Sequence, residues 1–374
     1  MHDCSPLVDS DPVPPHCAIA ADSRYSARMY FLGSLRFKLA GLFLVTAVAP
    51  LLAVLYLTAA PPEETIERQT IATMAGIAEA KGARLEALGR ERVRNISSIS
   101  DGFAFVGAVE ALGATYSADG TRDEAAYDAA LAKFKQRIDD FAAACEFPRF
   151  MIADASGRVV YATVETPLLH RSIKDTPIAK VLDRVRKEKR PFITPPMPAA
   201  KGERPVLEVV GPLLKDGEVI GYASGSIAPR EIDAIVTDYT GLGTTGDIVG
   251  VCHLAGDVVV TTPMRANPDA AYTVRGKLAS DFAPRFQEIV YGNPLRGRGT
   301  DIEGDEVFGA WVRVQSLGWG VGVTQHVEEA FAIARAQQAA QKALVRNALL
   351  ISIGPAILLG FLIGMRADKA TARA

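Results

Sequence analysis

The stretch from Arg149 to Ala162, RFMIADASGRVVYA, is where the chain changes character. Before it, apolar residues recur every three or four positions. Within it, Phe150 to Ala153 and Val159 to Ala162 are short apolar runs of the kind that line a pleated sheet. Asp154-Ala155-Ser156-Gly157 between them supplies turn-forming residues, so the spacing predicts a β-hairpin. Further along, a helix is expected from about Pro177 to Lys189. Strands are expected at Pro191 to Thr194, Pro205 to Leu213 and Glu218 to Ile227, the last two joined by Lys215-Asp216-Gly217. Two strands, a helix and three strands can close as one antiparallel sheet with helices packed around it.

A similar order returns about 95 residues later, as a repeat of structure and not of sequence. Asp247 to Cys252 and Asp257 to Thr262 flank Ala255-Gly256, a helix is expected over about Leu278 to Tyr291, and Glu306 to Val314 and Gly318 to Gln325 close the second sheet. The fold class expected is therefore α+β, with two tandem PAS-like antiparallel-sheet modules. Trp311, Trp319, Phe308 and Phe331 read as core of the second. Between the modules, Gly241-Leu242-Gly243-Thr244-Thr245-Gly246 matches G-x-G-x-x-G. A dinucleotide fold needs a strand before that motif and a helix after it. Here the order is reversed, so the segment reads as a tight glycine connection. No kinase V-A-I-K lysine, G-x-S-x-G, H-E-x-x-H, Walker A or paired-cysteine motif occurs. The expectation is a non-enzyme with no cofactor, no catalytic residue and no metal site.

Upstream of the hairpin the pattern is helical. Pro61-Pro62-Glu63-Glu64 places proline and acids where a helix N-terminus favours them. Ile66, Met74, Ile77, Leu85, Leu88, Ile96 and Ile99 then continue an apolar stripe, which predicts a stalk helix of about 35 residues. After a break near Ala118-Asp119-Gly120, a second helix runs from about Arg122 to Ala144 with Tyr127, Leu131, Phe134, Ile138 and Phe141 on one side.

The two ends set the class of the whole chain. Leu39 to Ala60 holds no charge over about 22 residues, roughly 33 Å as a helix, and Ala348 to Met365 holds none over about 18. Both are expected to span a membrane. Arg24, Arg28, Arg36 and Lys38 precede the first, Glu63, Glu64 and Glu67 follow it, and Arg366, Lys369 and Arg373 lie beyond the second. The positive-inside rule then puts both termini in the cytoplasm and residues 61–345 outside it. Gly360 and Gly364 form a G-x-x-x-G pair suited to close helix packing, and a homodimer is expected. The 41 Lys+Arg nearly balance the 43 Asp+Glu, which leaves no field to gather a phosphate backbone and excludes a nucleic-acid binder. Cys145 and Cys252, the outer pair of cysteines, are expected to be free thiols.

These residues carry a family likeness. Tyr239-Thr240-Gly241-Leu242-Gly243-Thr244-Thr245-Gly246-Asp247-Ile248 resembles the segment that opens the membrane-proximal module of double Cache sensor domains. Asp301 to Trp311, Leu317 to Val323 and Glu329-Ala330-Phe331 are similar to that family's closing strands and exit helix. The resemblance covers roughly residues 61–345. It implies an extracytoplasmic small-molecule sensor of the kind found on bacterial histidine kinases, chemoreceptors and cyclases, with the ligand in the distal module and the signal leaving through the second span. The amino-acid-binding subset has an Arg-x-Trp-Tyr segment where this chain has Lys189-Arg190-Pro191-Phe192, and an aspartate where it has Ser226. The organisation expected is a disordered cytoplasmic tail (1–38), a first span (39–60), stalk and distal helices (61–147), a distal module (148–238), a proximal module (239–326), an exit helix (327–347), a second span (348–365) and a short tail (366–374). That last tail is expected to be too short for an output domain. A separate cytoplasmic or membrane partner would then receive the signal in the inner membrane. The alternatives are the sensor part of a truncated or split kinase, chemoreceptor or cyclase, and a ligand-free extracytoplasmic scaffold.

Strand alternation puts Ile220, Tyr222, Ser224 and Ser226 on one face of a distal strand, an aromatic beside two hydroxyls. Glu208, a carboxylate midway along an otherwise apolar strand, is the other candidate; its alternative place is the solvent face of a half-exposed sheet. Tyr161 and Arg171 complete the set, because the segment between them is expected to cross the sheet; the alternative place for Arg171 is the surface. Such a pocket suits a small cationic or hydroxylated ligand.

Overall fold

A computed structural model of the chain describes residues 35–57, 63–117, 119–176, 178–197, 204–278, 280, 282, 284–291 and 294–371. Of the expected disordered tail, residues 1–34 lie outside these, as do residues 58–60 of the first apolar block. The chain divides into two units. One comprises the flanking segments, residues 1–62 and 333–374; the other is Glu63–Ala332.

In the flanking unit, α1 (Leu35–Leu57) contains Pro50, with an apolar stretch from Gly41 to Val54. At the other end a helix runs from Val327 to Thr371 through Pro355. Val327–Arg366 of it is, among the described residues, the one stretch long and apolar enough to cross a membrane. Leu344, Leu350, Ile351 and Leu358 on it are exposed, as lipid-facing side chains would be.

The large unit begins with α2 (Glu63–Ser97), α3 (Phe103–Gly113) and α4 (Glu124–Ala144), the last capped by the Asp123 carboxylate, which accepts from Ala126 N–H at 3.0 Å. The distal sheet follows: β1 (Phe150–Asp154), β2 (Val159–Ala162), α5 (Ala179–Glu188), β3 (Phe192–Ile193), β4 (Leu207–Lys215) and β5 (Glu218–Ile227). Its order is β2-β1-β5-β4-β3, all pairings antiparallel. Asp216 (φ +51°) and Gly217 (φ +80°) make the two-residue turn that sets the β4–β5 register. After α6 (Pro229–Val236) comes the proximal sheet of β6 (Asp247–Leu254), β7 (Asp257–Val260), β8 (Arg275–Lys277), β9 (Leu295–Thr300), β10 (Glu306–Val314) and β11 (Trp319–His326), in the order β8-β7-β6-β11-β10-β9. The helix of 327–371 is α8, and α7 (Pro284–Val290) covers the proximal sheet.

Three differences from the sequence reading have a physical origin. The helix expected over Leu278–Tyr291 is confined to α7, and β8 and β9 were not expected. Both are edge strands rich in arginine and glycine, poor strand formers that pair because a neighbouring strand offers its free edge. The helix α3 was also unexpected; its apolar run follows Gly102, whose extended backbone ends the preceding turn.

The stalk helix is not free-standing. Met74, Ala78, Leu85 and Ile96 of α2 are fully or almost fully buried in one core with residues of both sheets. A Cβ on Gly82 would lie 2.8 Å from Val312 of β10, and one on Gly211 of β4 would lie 2.4 Å from Ile96. One helix thus lies hard against both modules. Two buried cations fix its rotation. Lys81 donates to the carbonyls of Ile235 and Asp238 at 2.8 Å each and to the Asp238 carboxylate at 2.9 Å. Arg92 donates to Glu231 of α6 at 2.6 Å and to the Cys145 carbonyl. Cys145 and Cys252 are free thiols, and burial pushes that of Cys252 up to about 12.

Candidate functional site

The distal sheet has two faces of different chemistry. Phe150, Ile152, Leu207, Val209, Leu213, Ala223 and Ile227 face the helical side and share the core with α2 and α3. Alternation sends Met151, Val210 and Tyr222 the other way, against Val181, Leu182 and Val185 of α5 and against Phe192 and Met197. Glu208, Ser224 and Ser226 share that outer parity.

Register brings these three together. Glu208 stands directly opposite Ser226, with Ser224 one step along the same face. Glu208 is fully buried. Its Oε2 accepts from Ser224 Oγ at 2.7 Å; its Oε1 accepts from Ser226 Oγ at 2.8 Å and from Arg149 Nη2. Thr194, also buried, brackets the same residue: its Oγ1 accepts from Glu208 N–H at 3.0 Å, and its own N–H donates to the Glu208 carbonyl at 2.8 Å. The Arg149 carbonyl accepts from Ser226 N–H at 2.9 Å, which ties the residue before β1 to the end of β5. A carboxylate out of water costs several kcal/mol unless its oxygens are satisfied, and here two hydroxyls and a guanidinium do so. Of the Arg149 side chain 27% is exposed, against none of Glu208, so the cluster reaches solvent through Arg149. Its Nε is buried without a hydrogen-bond partner.

Tyr222 extends the same face, its hydroxyl accepting from Arg186 Nε at 3.0 Å while Arg186 Nη2 donates to the Ala155 carbonyl at 2.9 Å. The other two residues singled out in the sequence lie elsewhere. A register shift in β1–β2 turns Tyr161 to the helical side, where its hydroxyl donates to Asp139 of α4. Burial and that carboxylate raise the Tyr161 pKa. Arg171 is exposed, and its carbonyl accepts from Val159 N–H at 2.9 Å. Arg149, Thr194 and Arg186 were missed. An arginine at a strand's entry reads as a solvent charge, and no local pattern links it to a glutamate 59 positions on.

The cluster therefore has one carboxylate, two guanidiniums, three hydroxyls and a phenol on a sheet face walled by apolar side chains. Its groups are those that exchange hydrogen bonds with a small polar solute; of the cationic or hydroxylated ligand expected from sequence, a cation would have to displace Arg149 from Glu208, whereas a hydroxyl would not. A second polar group lies in the proximal module. Asp301, Asp305 and His326 each bring one donor atom to within 4.8 Å of the others, and His326 Nε2 is 3.4 Å from Asp301. Burial and then the charges of Asp301, Asp247 and Asp305 raise the pKa of Glu303 beside them. Among the described residues this is the one group of histidine and carboxylates whose donor atoms lie close enough to share an ion.

No family model and no curated protein matches the chain. Among solved structures, the sensor domain of the histidine kinase DctB of V. cholerae is 10% identical with a TM-score of 0.49, covering 69% of this chain and 98% of that one. The ligand-binding domain of the Pseudomonas fluorescens chemoreceptor CtaA in complex with L-isoleucine is 14% identical with a TM-score of 0.48, covering 72% and 98%. The periplasmic sensory domain of the Campylobacter jejuni chemoreceptor Tlp1 is 14% identical with a TM-score of 0.47, covering 71% and 98%. The structures similar to this chain are thus sensor domains of histidine kinases and chemoreceptors.

Proposed function

We propose that this protein is a membrane-anchored, non-enzymatic sensor whose extracytoplasmic unit binds a small polar molecule at the distal cluster. The observation that carries this reading is the fully buried Glu208 with Ser224, Ser226, Thr194 and Arg149 around it. A sheet face built for stability alone would hold apolar side chains there, as buried ion pairs rarely improve on hydrophobic packing. The resemblance of the Tyr239–Ile248 segment to double Cache domains supports the same assignment. In this reading α8 and α1 are both anchors, both termini are cytoplasmic, residues 61–345 lie outside the inner membrane, and the protein acts as a homodimer. Ligand in the distal module biases α8, and a separate partner receives the change.

A thermal-shift screen of the full chain in detergent against amino acids, amines, carboxylates and sugars tests it. A binder at a hundredfold excess over its Kd adds roughly 2.7 kcal/mol, or several degrees in Tm. The expected result is a shift with one chemical class that Ser224→Ala/Ser226→Ala removes. No shift with any class refutes the distal site and favours a scaffold; a shift unchanged in that variant refutes the distal site and places the ligand elsewhere.

A further inference from the structure

The glycine segment between the modules has the form of an anion-binding loop in the wrong context for a nucleotide. Gly241 (φ +85°) and Gly243 (φ +65°) adopt the left-handed conformation that turns successive peptide N–H groups to one side, as in backbone anion nests. Those N–H groups meet Glu329, in the first turn of α8. Glu329 Oε1 accepts from Thr244 N–H at 2.7 Å and Thr244 Oγ1 at 2.6 Å; Oε2 accepts from Thr245 N–H at 2.9 Å and Thr245 Oγ1 at 2.5 Å. The opposite side of the same peptides meets a cation, because Arg265 Nη1 donates to the carbonyls of Gly243 and Thr244 at 2.7 and 2.6 Å. Thr245 Oγ1 also accepts from His326 N–H at 3.1 Å, where β11 ends. The fit leaves no room at Gly243, where a Cβ would lie 2.7 Å from Glu329 Oε1 and 2.8 Å from Gln325 Nε2.

We propose that residues 243–245 form a carboxylate-binding site whose resident ligand is Glu329 of the same chain, and that this contact pins the start of α8 to the proximal module. The proposal does not depend on what the distal cluster binds. Burial alone would raise the Glu329 pKa, but the hydrogen bonds from Thr244 and Thr245 outweigh it and bring the carboxyl to about 2. The folded-state pKa lies below the unfolded value, so the stabilisation is present above the ordinary glutamate range. It is lost as pH falls from about 4.5 toward 2.

The test is chemical rescue of the full chain in detergent. Glu329→Ala is expected to lower Tm by several degrees and to raise amide exchange in residues 243–246 and 327–332. Formate or acetate, added at ionic strength held constant with chloride, is expected to restore part of the loss in this variant while leaving wild type unmoved. Gly243→Ala combined with Glu329→Ala is expected to abolish the rescue. Wild-type stability in Glu329→Ala, or a loss that neither formate nor acetate relieves, overturns the proposal. Should that variant not fold, Glu329→Gln decides through its pH profile: it must lose less stability than wild type as pH falls from about 4.5 toward 2, and superimposable profiles overturn the proposal.

Discussion

The distal and proximal sheets place chemically opposite side chains at the same structural position. In each, a central pair of long antiparallel strands is covered on the outer face by a helix. On the distal pair that face holds Glu208, Ser224 and Ser226; on the proximal pair it holds Val307 and Trp311 of β10 and the glycines of β11. A Cβ on Gly322 would lie 2.6 Å from both Phe286 and Trp311, and one on Gly320 would lie 2.3 Å from Ile289, so the glycines exist to let large side chains fill the space. Phe286 meets Trp311 edge to face at 6.1 Å. Where one module is plugged with aromatics, the other keeps hydrogen-bonding groups. The same fold can therefore devote one copy to stability and free the other for recognition.

If that division is right, the largest loss of stability comes from the proximal face and the largest loss of response from the distal one. Trp311→Ala, opening a cavity in the plugged module, is expected to cost roughly 3–5 kcal/mol in chemical denaturation while a ligand-induced Tm shift survives. Glu208→Ala strands Arg149 and two hydroxyls; it is expected to cost about 3 kcal/mol and to remove the ligand shift altogether. A ligand shift that persists in Glu208→Ala and vanishes in Trp311→Ala would reverse the comparison. Ser224→Ala and Ser226→Ala are each expected to cost about 1 kcal/mol and to weaken binding in isothermal titration. The smallest effect belongs to Tyr161→Phe. It frees Asp139 on the helical side, so under about 1 kcal/mol should be lost and affinity should stay at the wild-type value.

Much of this was legible in the residues. Period-two alternation along Glu218–Ile227 put Tyr222, Ser224 and Ser226 on one face, and a lone carboxylate between Leu207 and Val209 drew attention to Glu208. Tyr161 is expected in the pocket because the segment after it should cross the sheet; the β1–β2 pairing shifts between Ile152 and Ala153, and its hydroxyl meets Asp139 on the helical side instead. Arg149 and Thr194 were illegible for another reason. Their roles exist only once β1, β3, β4 and β5 are in register, and partners 59 and 14 residues apart leave no periodic trace. The glycine loop shows the same limit: its spacing reads as a tight connection, and the carboxylate it holds comes from a helix 84 to 85 positions later.

The two buried cations of α2 carry a consequence for how such proteins can vary in length. Lys81 and Arg92 are about three helical turns apart, on one side of the helix, and each anchors to a different part of the segment that includes α6. One residue inserted between them would swing everything beyond it by about 100°, leaving a desolvated charge with no acceptor and carrying Ile96 away from Gly211. An insertion or deletion is therefore expected to be tolerated only in the part of the helix before Ile71, where no described residue is buried. The helix can lengthen or shorten there while the angle at which α2 meets the two sheets cannot change.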